Sequence, residues 1–246
     1  MKKIVTLAVF FFITLFSIKA QSDFRFGFQL SPTFSWMGTS NNKINGNGTN
    51  LGLKLGVIGE KYFRENYAII GGLGFAFNQG GTLKHDIGGN FWPSSDLSNP
   101  DLNKEPNALP DGVNLKYGIQ YVEIPFGLKM RTQEFGYLKY FAEIPVFTLG
   151  IRTQARGAVS ATNGLDTQKE NIKDDVSLLN LSWGIGGGLE YSINGSTSLV
   201  AGLFFQNGFV DITNDKATQY ISFDENPKEN SKGTIGAITL RLGVMF

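Results

Sequence analysis

"FRFGFQLSPTFSWM", residues 24–37, alternates strictly. Phe24, Phe26, Phe28, Leu30, Phe34 and Trp36 fall on one parity, and Arg25, Gly27, Gln29, Ser31, Thr33 and Ser35 on the other. Successive side chains of a strand point to opposite faces, so the segment reads as a strand with one large apolar face and one small, mostly polar face. Which face is inside decides the fold. A soluble barrel turns its apolar face inward and a charged face to water. Here the second set consists of small side chains with sparse charge, which suits the crowded inside of a narrow barrel. The aromatic face then points outward, toward lipid.

The same pattern returns along the chain. Leu51, Leu53, Leu55 and Val57 oppose Gly52, Lys54 and Gly56, while Ile69, Leu73, Phe75 and Phe77 oppose Gly72, Gly74, Ala76 and Asn78. Leu179, Leu181, Trp183, Ile185, Leu189 and Tyr191 oppose Asn180, Ser182, Gly184, Gly186, Gly188 and Glu190. The final "IGAITLRLGVMF" sets Ile238, Leu240, Leu242, Val244 and Phe246 against Thr239, Arg241 and Gly243. Together with two central strands and "TSLVAGLFFQNG", this predicts eight strands at about 24–37, 50–60, 67–78, 117–131, 137–155, 177–192, 197–210 and 234–246.

Between them, long polar connections at 38–49, 79–116, 156–176 and 211–233 alternate with short ones at 61–66, 132–136 and 193–196. Long extracellular loops, short periplasmic turns and an even strand count belong to a transmembrane barrel. The expected fold is therefore all-β, an eight-stranded antiparallel up-and-down transmembrane barrel. Trp36, Trp183, Tyr140, Tyr191, Phe205 and Phe209 lie toward strand ends, where aromatic girdles sit. A secreted lipocalin-like binding barrel is the soluble alternative.

The first residues, "MKKIVTLAVFFFITLFSIKAQS", place two lysines before an apolar run and a small residue, Ala20, the layout of a cleaved secretory signal peptide. The division expected is signal peptide 1–20 and barrel domain 21–246. Cleavage would take Lys2, Lys3 and Lys19 from the 22 basic side chains and none of the 21 acidic ones, leaving a net charge of about −2. No basic footprint for nucleic acid results. The absence of cysteine excludes disulfides, thiolate metal sites and a lipid anchor on cysteine.

"YVEIPFGLK" from Tyr121 and "FAEIPVFTLG" from Phe141 each place a glutamate and a proline within a strand. Parity directs Glu123 and Glu143 inward, and the shift of the apolar set beyond Pro145 to Phe147, Leu149 and Ile151 marks a β-bulge, a permitted place for proline in a sheet. The shift also leaves Arg152, Gln154 and Arg156 on the inward face. With the connecting turn near Gln133, the two glutamates should reach similar depth. Arg25, Lys54, Lys129, Arg131, Lys139 and Arg241 join them and Glu190 on the inward parity, which predicts a charge-paired interior. A glycosidase-like carboxylate dyad is the catalytic alternative, but a filled barrel offers no cleft. His85 falls in the longest loop without a nucleophile motif and reads as solvated.

The signal segment ending in "KAQ", the opening "FGFQLSPTFSW", the central "YVEIPFGLKMRT" and "GYLKYFAEIPVFTLGIR", and the strand ending in Phe246 resemble the PorT-like outer-membrane β-barrel family of Gram-negative bacteria. The resemblance implies small barrels of varied role, with no catalytic residues and no cofactor. Location in the outer membrane implies contact with its lipid and with the barrel-assembly machinery, for which Phe246 resembles the terminal signal. Three functions compete: a structural or interaction protein working through its loops, a small-solute channel, and an enzyme. The first is favoured, with loop 79–116 as the contact region and its Phe91 and Trp92 as anchors for an extracellular protein or glycan. These rings have a second reading, as part of the rim's aromatic girdle.

Overall fold

The computed structural model describes residues 23–102, 109–219 and 227–246. Residues 1–20, read as the signal peptide, lie outside them. The elements in order are β1 (Phe24–Thr39), β2 (Ile44–Arg64), β3 (Tyr67–His85), β4 (Gly89–Asn90), a 3-10 turn at Pro100–Leu102, β5 (Val113–Arg131), β6 (Leu138–Ser160), β7 (Asp166–Asn171), a 3-10 turn at Lys173–Asp175, β8 (Leu179–Ser192), β9 (Ser198–Gly208), β10 (Thr218–Gln219) and β11 (Gly233–Met245). Eight long strands, β1, β2, β3, β5, β6, β8, β9 and β11, each pair antiparallel with their neighbours in sequence, and β1 closes on β11. The ring has no open edge. β7 continues the wall beside the upper part of β6, and β4 pairs with β10 across two of the long loops.

The outward parity of every long strand carries exposed apolar side chains, among them Phe28 at 53%, Phe126 at 57% and Leu203 at 62%. So broad an apolar surface on a closed ring requires a lipid surround. The strands do not all end with it. β5 runs for 19 residues and β6 for 23, about twice the ~9–11 that cross a bilayer. One flank of the barrel, formed by β2, β3, β5 and β6, therefore rises beyond the apolar belt at the long-loop end.

That extension corrects several expectations. The predicted long loop 38–49 is strand for most of its length, and only residues 40–43 connect β1 to β2. The longest connection is 86–112, shorter than the 79–116 expected, because β3 and β5 continue pairing to His85↔Val113. His85 is the last residue of β3 and is buried, so it is not a solvated loop histidine.

The bulge expected at Pro145 is present. Pairing slips between Glu143 and Val146 against β8 and between Gly127 and Lys129 against β5, with the additional residue on β6 both times. A further slip opposite Gln120/Tyr121 changes the phase of β6 again, so Arg156 points outward instead of into the barrel. Pro125 is accommodated differently. Its pairing with β3 lapses between Gly71↔Phe126 and Gly74↔Glu123 without a change of register, so its missing N–H falls where the ladder is already interrupted. The ring packs over Gly72, where an added Cβ would stand 3.3 Å from Pro125 Cγ and 2.5 Å from the Val57 carbonyl oxygen.

The turn between β5 and β6 is centred farther along than Gln133. Glu143 faces Lys129 and Glu123 faces Gly150. The two glutamates thus sit about 20 Å apart along the strands, at ~3.4 Å per residue, and form no carboxylate dyad.

Candidate functional site

The starts of β1 and β6 and the ends of β2, β5 and β8 gather at the short-turn end of the barrel. Parity sends Arg25, Glu60, Tyr62, Lys129 and Glu190 inward there. Lys129 is 2% exposed and lies between two carboxylates, bonding Glu60 and Glu190. Arg25 reaches Glu190 at 2.8 Å and Glu60 at 3.7 Å, and Tyr62 Oη donates to Glu60 at 2.7 Å. Deeper in the barrel Arg241 bonds Glu143 at 2.7 Å, its guanidinium 3.6 Å above the Phe204 ring. Lys54 meets Glu123 at 2.9 Å and donates to Gln206 Oε1 at 2.7 Å, while Gln206 Nε2 continues to Ser182 Oγ at 2.7 Å. A charge out of bulk water is tolerated when paired and hydrogen-bonded, and each of these inward charges has an opposite partner. The hollow left around Lys54, Glu123 and Arg241 measures about 60 Å³, room for a few water molecules.

Of the nine ionisable residues expected in the charge-paired interior, seven form these pairs. Lys139 does not: it pairs with Glu134 at 2.9 Å beside the short turn. Arg131 likewise stays at that rim, stacked 3.9 Å over Tyr62 and donating to the Glu65 carbonyl. Glu60 and Tyr62 are absent from the expected network: Tyr62 lies beyond the strand end expected at residue 60, and Glu60 is the last residue of that strand. The inward parity from Lys54 through Gly56 and Ile58 already pointed to both.

The long-loop half of the interior is apolar. Leu83, Val113, Leu115, Ile119, Ile172 and Ile212 are all buried there. Residues 86–102 and 109–112 fold down onto them, with Gly89 and Leu109 exchanging 2.9 Å backbone hydrogen bonds at the neck of the loop. Phe91 and Trp92, expected on the loop surface or on the rim, are 4% and 1% exposed inside this core. Trp92 Nε1 donates to Tyr117 Oη at 3.1 Å, and the two rings meet edge to face at 5.5 Å. Gly157 on β6 makes the space, since a Cβ there would lie 2.6 Å from the indole. Phe91 packs against His85 with ring centroids 3.9 Å apart and the rings tilted by 41°, and neither nitrogen of that imidazole has a hydrogen-bond partner among the described residues. Burial holds the His85 pKa down at about 3, so the ring is neutral.

Buried carboxylates tie the loops together. Asp175 accepts from the Ser94 N–H at 3.0 Å, from Ser95 Oγ at 2.5 Å and from Asn214 Nδ2 at 2.8 Å, joining three long connections at one point. Glu170 takes the Ser98 N–H at 2.7 Å and Ser98 Oγ at 2.5 Å. The result is an ordered cap.

The family model described as "Outer membrane protein beta-barrel domain" matches residues 19–214. The chain belongs to that family. As an outer-membrane barrel of this kind it sits in the outer membrane of a Gram-negative cell, with the cap extracellular and the short turns periplasmic. No curated protein matches the chain by sequence. Among solved structures it is similar to Neisserial surface protein A, at 14% identity and a TM-score of 0.40 over 89% of this chain and 95% of that one. OprG from Pseudomonas aeruginosa aligns at 10% identity, TM-score 0.40, over 91% and 95%. The outer membrane protease OmpT from Escherichia coli aligns at 5%, TM-score 0.38, over 91% and 96%. At these scores the likenesses add nothing to the strand pairing itself, and they assign no activity.

Proposed function

We propose that the protein is a closed, non-enzymatic outer-membrane barrel that acts as a structural and interaction protein through its extracellular cap. The observation that carries this is the filling of the bore at both ends: ion pairs cross it toward the periplasm, and Trp92, 1% exposed, occupies it under the cap. An eight-stranded ring has an interior that side chains fill, whereas aqueous channels belong to rings of about sixteen strands. His85 is enclosed against Phe91 and lacks a hydrogen-bonded neighbour, unlike a general base held beside a nucleophile.

Because Phe91 and Trp92 are internal, the surface offered to an extracellular protein or glycan is the polar outside of the cap, where Asp96, Asn99 and Asp101 are exposed. The narrower kinship with PorT-like barrels rests on the segments quoted above. Export proceeds with removal of residues 1–20, and Phe246, paired through its backbone with Phe26 and packed 5.6 Å from that ring, presents the terminal aromatic to the assembly machinery. Conductance of the purified protein in planar bilayers tests the closed state. The expected trace is silent, and stable, reproducible openings of porin size would replace this reading with a solute channel.

A further inference from the structure

Above the apolar belt, the outer wall of β3, β5 and β6 carries cations. Lys84, Lys116 and Arg156 are exposed and alternate with buried neighbours, so all three project away from the barrel. The register sets Thr82 opposite Lys116, Lys84 opposite Asn114, Lys116 opposite Ala158 and Gly118 opposite Arg156. Lys84, Lys116 and Arg156 are therefore successive diagonal neighbours on one face, about 7–8 Å apart. Lys169 of β7 completes the group: its backbone is left-handed at φ 62°, and its carbonyl accepts from Arg156 Nη1 at 3.2 Å. A groove of about 370 Å³ runs between these strands, with Lys116, Arg156 and Lys169 beside Asn78, Thr82 and Gln168. Asp166 is the one carboxylate among its described lining residues, and none of the four cations forms an ion pair among the described residues.

Segregation of this kind is unexpected in a chain of nearly balanced charge. Its height is informative. Arg156 lies at the level of Gly118, four residues above Val122 at the top of the belt on β5, or about 10 Å along the barrel axis for a strand tilted by ~45°. That is the level of the polar head groups, and the side chains are long enough to reach down to it. Guanidinium and ammonium groups at this spacing suit phosphate oxygens, and the neighbouring amides and hydroxyls suit sugar hydroxyls.

We propose that this groove binds the phosphorylated head group of the outer leaflet's glycolipid. The inference rests on the outer-membrane location and not on the closed bore. The test compares the wild type with the combined variant Lys116→Gln/Arg156→Gln/Lys169→Gln, each shown to be folded by heat-modifiable gel migration. Native mass spectrometry would measure retention of bis-phosphorylated lipid A by detergent-solubilised protein, against fully dephosphorylated lipid A. Retention by the wild type should exceed that of the variant, and that of the dephosphorylated lipid, by about tenfold or more, the scale of lost charge-assisted hydrogen bonds. Lys61→Gln, which removes an exposed outward cation at the periplasmic end, should change nothing. Equal retention by variant and wild type, or of both lipids, overturns the proposal. So does binding of inorganic phosphate by the wild type without retention of lipid A, which would make the groove a soluble-anion site.

Discussion

The two halves of the barrel solve opposite problems with the same strands. On β5, the odd-numbered residues face inward from Val113 to Lys129. In the membrane these include Glu123 and Lys129, while Ile124, Phe126 and Leu128 face lipid. Above the membrane the polarity reverses: Val113, Leu115, Tyr117 and Ile119 are buried inside, while Lys116 faces out. Water replaces lipid outside, so the hydrophobic drive changes sides. The lower half holds its polar interior by pairing charges. The upper half has an ordinary apolar core, and residues 86–102 and 109–112 supply its lid.

This contrast predicts where substitutions will act. Lys129→Met should have the largest effect, because it leaves Glu60 and Glu190 sharing a buried site without the cation between them. A loss of about 3–5 kcal/mol is expected, read as an earlier denaturant midpoint for the whole barrel in detergent. An unchanged midpoint would mean that the periplasmic cluster is solvated.

Acid should act on the upper half. A histidine released from the cap titrates near 6.5, whereas the enclosed His85 stays neutral down to about 3. The open form therefore binds a proton that the closed form refuses as pH falls through this window. Cap closure is at full strength above about pH 6.5 and weakens by ~1.4 kcal/mol per pH unit below it, or about 2 kcal/mol at pH 5. Amide protection factors at Phe91 and Trp92, taken relative to the intrinsic exchange rate at each pH, should fall on acidification, and His85→Leu should remove this dependence. Equal acid sensitivity in the variant would assign it to other groups.

Much of the lower half was legible in the sequence. Strict alternation with a large outward set and a small inward one fixed the barrel, its strand number and most of its ion pairs, because parity survives along an unbroken strand. Lys139 was misplaced because parity alone does not tell depth, and it lies at the rim, where Glu134 of the turn is nearer than the interior. The upper half was obscured by the reversal itself. In "VNLKYGIQYVEIPFGLKMR" the apolar set moves from odd to even positions between Tyr121 and Val122. In a sequence this looks like a break in the strand, so alternation alone starts the strand at 117 and leaves the remainder to a loop. The inward Phe91 and Trp92 had no periodic signal, since their position depends on contacts with Tyr117, Gly157 and His85 from distant strands. The least effect is expected at the rim. Lys139→Ala breaks an exposed pair with Glu134 and should leave the denaturant midpoint unchanged, and a clear loss would return Lys139 to the interior network.

The seal centres on Trp92 beneath residues 86–102, and Trp92 reports it. With Trp36 and Trp183 replaced by phenylalanine, Trp92 is the sole indole of the chain. In folded protein at neutral pH its fluorescence should be blue-shifted and unaffected by iodide added to the outside. Red-shifted emission quenched by iodide in the folded barrel would contradict the account.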